Sequence, residues 1–197
     1  MIGRRLGLFL VAIVGTLFLA WFTVSATIIP PAAPQNPVTV HVAEFGFHAR
    51  LLLPEGDGWL QYGFGDWDYY ARREQTLLNG VLALLWPTPG ALGQGEVDSV
   101  DRFRADSESA GGQLLSFDVP GARVKQLKHS LHTRFEQQIP DGQVYNRVNN
   151  LRLVRDDRPY SVLHNSNHEL AEWLKVLDCQ VESLGFWTAF RLAKTDG

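Results

Sequence analysis

The stretch YSVLHNSNHELAEWLKVL, residues 160–177, changes period half-way along. Tyr160 to Leu163 reads as a strand. Beyond Asn165, Leu170, Trp173, Leu174 and Leu177 recur at helical spacing. A strand therefore hands over to a helix at Ser166. A nucleophile at such a place gains from the positive end of the helix, and nearby N–H groups can form an oxyanion hole. Ser166 needs a base, because a hydroxyl is a poor nucleophile at neutral pH. The same residues also read as a plain helix start, since Ser166 with Glu169 three residues later matches a capping box. Spacing alone puts the cap ahead of the nucleophile.

Working outward, Val38–Val42, Phe47–Leu53 and Trp59–Phe64 read as three strands joined by short turns, an antiparallel meander. Residues 74–86 are nearly all apolar and predict a buried helix ended by Pro87-Thr88-Pro89-Gly90. Residues 91–112 are rich in Gly, Ser and Asp without a clear period and read as a long loop with at most a short strand. Gln113–Val119 reads as a strand. After Pro120, Val124, Leu127, Leu131 and Phe135 share one face of an amphipathic helix. Further strands are expected near Val144–Arg147, Asn150–Val154 and Tyr160–Leu163. Separate blocks of strand and helix predict an α+β domain with an antiparallel sheet packed on helices.

The N-terminus has its own pattern. Arg4 and Arg5 precede an uncharged stretch from Leu6 to Ile29, and residues 6–22 are almost entirely apolar. As a helix, residues 6–22 span about 25 Å and residues 6–29 about 36 Å, against a hydrocarbon core of about 30 Å. The length predicts one transmembrane helix in residues 1–29, with the arginines on the cytoplasmic side. Val24-Ser25-Ala26 offers a cleavage site, so a signal sequence stays open. A Pro-rich linker at 30–37 follows, and residues 38–197 form the exported domain. The expected location is the inner membrane, single-pass, with the domain on the periplasmic side.

Composition narrows the classes. Of 197 residues, 45% are apolar and 20% charged, which argues against wholesale disorder. The 18 basic and 21 acidic residues give a net charge of −3 and no positive field for nucleic acid. The single cysteine, Cys179, leaves no disulfide framework and no Cys-rich metal site. It follows an apolar helical series and reads as a buried, inert thiol.

Other candidates have ordinary readings beside the chemical ones. His48 lies on the second strand beside an apolar run. Asp66 sits at the Gly63-Phe64-Gly65-Asp66 turn. His129, His132 and Glu136 share a helix face and are geometrically able to bind zinc, but a solvated face places polar residues there anyway. His164 and His168 bracket Ser166. No metal and no other cofactor is expected.

The order of these pieces resembles a family. Phe45-Gly46-Phe47-His48 is followed by Tyr62-Gly63-Phe64-Gly65-Asp66 with Tyr69-Tyr70, then Trp86-Pro87-Thr88-Pro89, then Tyr160-Ser161-Val162-Leu163-His164-Asn165-Ser166-Asn167. Together they resemble the bacterial envelope proteins grouped as domain of unknown function 2459, over most of residues 38–190. That family in turn resembles circularly permuted papain-like proteins, relatives of the NlpC-type cell-wall peptidases and of lecithin:retinol acyltransferases. The resemblance implies a permuted papain-like domain with His48 at the histidine position and Ser166 at the position of the nucleophilic cysteine. It places Asp66 as the orienter and Asn167 just after the nucleophile, with His164 and Tyr62 as further ligand-binding candidates.

Ser166 departs from the pattern, and so does Glu169, where the family has an aromatic residue. A papain-type site works through a thiolate–imidazolium pair, which serine cannot form at accessible pH. The expectation is therefore a non-catalytic or degenerate binding module, anchored in the membrane by its N-terminal helix. Its ligand would be an envelope peptide, glycan or lipid-linked molecule. The alternative is a serine–histidine amide or ester hydrolase or acyltransferase acting on a cell-envelope substrate.

Overall fold

Val38, Val40 and Val42 alternate along one strand of this molecule, and Tyr62 and Phe64 along another. The computed structural model describes residues 15–16, 25–46, 48–71, 86–161, 163–183 and 189–194. Its elements in chain order are β1 (Ser25–Ile29), β2 (Pro37–Phe45), β3 (His48–Glu55), β4 (Gly58–Asp66), a wide helical turn (Trp67–Ala71), β5 (Thr88–Val97), α1 (Val100–Ser109), β6 (Leu114–Pro120), α2 (Gly121–Gln138), β7 (Gln143–Asn146), β8 (Leu151–Tyr160), α3 (Ser166–Val176), β9 (Gln180–Glu182) and β10 (Ala189–Leu192).

Seven strands form one sheet in the order β6-β2-β3-β4-β5-β8-β7, and every neighbouring pair is antiparallel. One face carries Val40, Val42, Leu51, Leu53, Tyr62, Phe64, Leu92 and Val154. It packs under Val124, Leu127, Leu131 and Phe135 of α2 and Leu170, Trp173 and Leu174 of α3. Each of these apolar side chains contributes about 1.5–3 kcal/mol by leaving water, so this face dominates the core. The opposite face is covered in two patches. Ala43, Leu52 and Val97 meet Phe103 of α1, while Ala91, Leu151 and Leu153 meet Trp67 and Tyr70 of the wide turn.

Two glycines of β4 make room for that turn. A Cβ at Gly65 would stand 2.6 Å from Tyr70 Cδ1, and one at Gly63 would stand 3.2 Å from the Tyr70 hydroxyl. The Tyr70 ring therefore lies directly on the backbone of β4.

The expected fold, a permuted papain-like domain preceded by one transmembrane helix, is corrected. Strand outweighs helix: a seven-stranded antiparallel sheet is joined by a second sheet of three strands in the order β10-β1-β9. No helix among the described residues is long and apolar enough to cross a membrane. Ser25–Ile29, read as the end of the anchor, is the central strand of the small sheet. It runs parallel to β10 and antiparallel to β9. Its SATII sequence alternates in burial, and Ala26 and Ile28 enter the main core with Phe190. Hydrogen-bonding neighbours on both sides hold it as a strand, a pairing invisible to a hydropathy count. Residues 1–14 and 17–24 lie outside the described residues, as does most of the helix expected at 74–86.

The loop expected at 91–112 is also corrected. Residues 88–97 form β5, an interior strand. Its glycines mark close approach: a Cβ at Gly90 would meet the Arg158 carbonyl oxygen at 2.2 Å, and one at Gly95 the Asn150 carbonyl oxygen at 2.1 Å. Helix α1 follows, started by the Ser99 side chain accepting from the Arg102 N–H. It escaped detection because only Phe103 and Ser107 are buried.

Candidate functional site

The first turn of α3 is built differently from the capping box. Asn165 is the cap, and its side-chain oxygen accepts from the N–H groups of Asn167 at 3.0 Å and His168 at 3.2 Å. Ser166 is the first residue inside the helix, which frees its hydroxyl. That hydroxyl lies 3.4 Å from His48 Nδ1, a long contact by hydrogen-bond standards. Ser166 is 2% exposed.

His48 opens β3 after a tight hairpin. Gly46 adopts a left-handed φ of 62° in that turn, the conformation glycine permits most cheaply. The His48 ring stacks on Tyr70 with centroids 5.4 Å apart and planes 21° from parallel. Burial, reinforced by the positive charge of Arg50, lowers the His48 pKa to about 4. The imidazole is neutral near pH 7.

Asp66 is engaged elsewhere. Its carboxylate accepts from the Tyr69 N–H at 2.7 Å and from the Thr88 hydroxyl, closing the turn after β4. No hydrogen bond or ion pair joins it to His48 among the described residues. Its charge, with burial as the larger cause, helps push the Tyr160 phenol up to about 12.

Glu169 is the centre of a cluster that sequence reading missed. Its side chain is fully buried. It accepts from Arg134, from Arg158 at 3.0 Å and from the Trp173 indole at 2.9 Å, while His164 Nε2 stands 2.9 Å away. Arg134 also grips Asp156 with two bonds of 2.6 and 2.7 Å. Burial alone would raise the Glu169 pKa, but the guanidinium groups of Arg134 and Arg158 outweigh it and hold it low. The cluster draws on α2, β8 and α3. The Glu169–Trp173 spacing of four along one helix was the only local signal.

The remaining candidates separate. His164 belongs to the Glu169 cluster and meets the Phe64 ring edge-on at 5.5 Å. Tyr62 is fully buried beneath the helices. Its hydroxyl has no hydrogen-bond partner among the described residues, and burial raises its pKa. Asn167 is 3% exposed in the first turn of α3. His129, His132 and Glu136 are exposed on α2, and no group of three His, Cys, Asp or Glu able to hold a metal occurs among the described residues. Cys179 is buried, and burial ahead of the Asp178 charge pushes its thiol up to about 12.

Two cavities flank these residues. One of about 280 Å³ is lined by Phe45, His48, Arg50, Tyr69, Tyr70 and Asn149. The other, about 520 Å³, lies over α3 beside Arg158, His164, His168 and Lys175. Ser166 lines neither.

Chemically, the Ser166–His48 pair has a base of low proton affinity, no carboxylate to orient it among the described residues and a hydroxyl withdrawn from the cavities. Searches against protein-family models, curated proteins and solved structures return no match for this chain.

Proposed function

We propose that this domain is a non-catalytic binding module of the cell envelope, and that the cavity beside His48 receives its ligand, an envelope peptide, glycan or lipid-linked molecule. One observation carries the reading: His48 lines the cavity, whereas Ser166 is 2% exposed and lines neither cavity. A nucleophile must reach a bound carbonyl, and its base must attract a proton near the working pH. With a pKa of about 4, His48 is a weak base for a hydroxyl. The ordered motifs that resemble domain of unknown function 2459 support the envelope setting.

A second reading, a serine–histidine hydrolase or acyltransferase, is favoured by the 3.4 Å approach of Ser166 to His48 at a helix N-terminus. Labelling the full chain with a fluorophosphonate probe decides between them. The binding module predicts no labelling above the level of Ser166→Ala. Labelling abolished by both Ser166→Ala and His48→Ala overturns it in favour of the enzyme.

A further inference from the structure

Arg50 is 5% exposed, on β3 two residues beyond His48. Its Nη1 donates to Gln61 Oε1 at 2.9 Å and to the Asn149 carbonyl at 3.1 Å, and its guanidinium carbon lies 4.2 Å from the centroid of the Phe45 ring. Its Nε is buried without a hydrogen-bond partner, and no carboxylate pairs with it among the described residues. Buried cations are normally paired, because stripping water from an isolated charge is costly. Gln61 adds no negative charge; its own amide donates to the Asn150 carbonyl at 3.1 Å. The fold therefore holds a desolvated cation in the wall of a cavity, with no negative charge among the described residues to balance it.

We infer that this cavity recognises a carboxylate, paired with the Arg50 guanidinium and attached to an apolar group that packs against Phe45, Tyr69 and Tyr70. The inference rests on the reading of the cavity as a ligand site and adds the ligand's chemical class. A guanidinium binds a carboxylate through charge-assisted hydrogen bonds. Arg50 is the only cation among the described lining residues, and one positive charge balances a monoanion better than a phosphate dianion. About 280 Å³ is at the small end of ligand cavities and suits a small acid or the terminal residue of a chain.

The test titrates the full chain with N-acetylphenylalanine, with its C-terminal amide and with an N-acetylated Ala-Ala-Ala-Phe peptide, following heat and the His48 ring resonances. The acid is expected to bind at least about tenfold more tightly than the amide, the range for a charge-assisted hydrogen bond. Arg50→Gln is expected to abolish that preference; should the variant fail to fold, the acid–amide comparison on the unaltered chain stands alone. Tighter binding of the peptide assigns the carboxylate to a chain end, and equal binding assigns it to a free acid; both support the inference. Equal binding of acid and amide, with His48 shifted, overturns the carboxylate and leaves the ligand site. If none of the three probes shifts His48, the ligand site falls as well.

Discussion

The Ser166 hydroxyl and His48 Nδ1 lie 3.4 Å apart although 118 residues separate them in the chain. The pair forms because the hairpin after β2 and the first turn of α3 meet at the rim of the large sheet. Ser166 is available to His48 only because Asn165, one residue earlier, has taken over the capping role.

That division of labour is measurable. Asn165→Ala removes the acceptor for two backbone N–H groups and is expected to cost about 1 kcal/mol, within the usual range of about 0.5–2 kcal/mol for a lost cap. Ser166→Ala removes one long contact and is expected to cost less, about 0.5 kcal/mol. Urea unfolding midpoints of the two variants check the order. A larger loss for Ser166→Ala would show that the serine, not Asn165, holds the helix start.

His48 gives a stability signature in acid. Its folded pKa of about 4 lies below the ordinary histidine value of 6.5. The unfolded chain therefore binds the extra proton first, and stability falls as pH drops from about 6.5 to about 4. The full effect is on the order of 3 kcal/mol, reached below about pH 4. His41 and His168 are lowered by burial in the same direction. Unfolding free energies at pH 7 and pH 4.5 should differ more for the unaltered chain than for His48→Gln. Equal differences, or a His48 resonance titrating near 6.5, would contradict the neutral buried imidazole.

Glu169 should be the most sensitive acidic residue on α3. Glu169→Gln leaves Arg158 without its carboxylate and Arg134 with Asp156 alone, and is expected to cost about 3 kcal/mol, as for breaking a buried pair. Exposed Glu172 pairs with exposed Lys175, so Glu172→Gln should change stability by less than about 0.5 kcal/mol. Because the folded Glu169 pKa is held low, its contribution is complete above the ordinary glutamate value and is lost as pH falls through the folded one. Thermal unfolding of both variants at pH 7 checks the contrast; similar losses would mean that the cluster does not stabilise the fold.

Local pattern determined a good deal by itself. Val124, Leu127, Leu131 and Phe135 announce α2, and Leu170, Trp173 and Leu174 announce α3, because a helix buries one stripe every 3.6 residues. The β-branched run Val38–Val42 and the glycine turn before His48 announce the first hairpin. What pattern could not reach depended on partners distant in the chain. Ser25–Ile29 became a strand because β9 and β10 lie on either side of it. Residues 88–97 became an interior strand because their glycines admit neighbouring backbone. Glu169 became the anchor of a charge cluster because α2 and β8 bring two arginines to it. Arg50 became a buried cation beside a cavity because Tyr70 folds back over the glycines of β4. Periodicity records which face of a segment avoids water. Only the tertiary structure decides which charges, rings and backbones meet there, since those energies depend on distance across the fold.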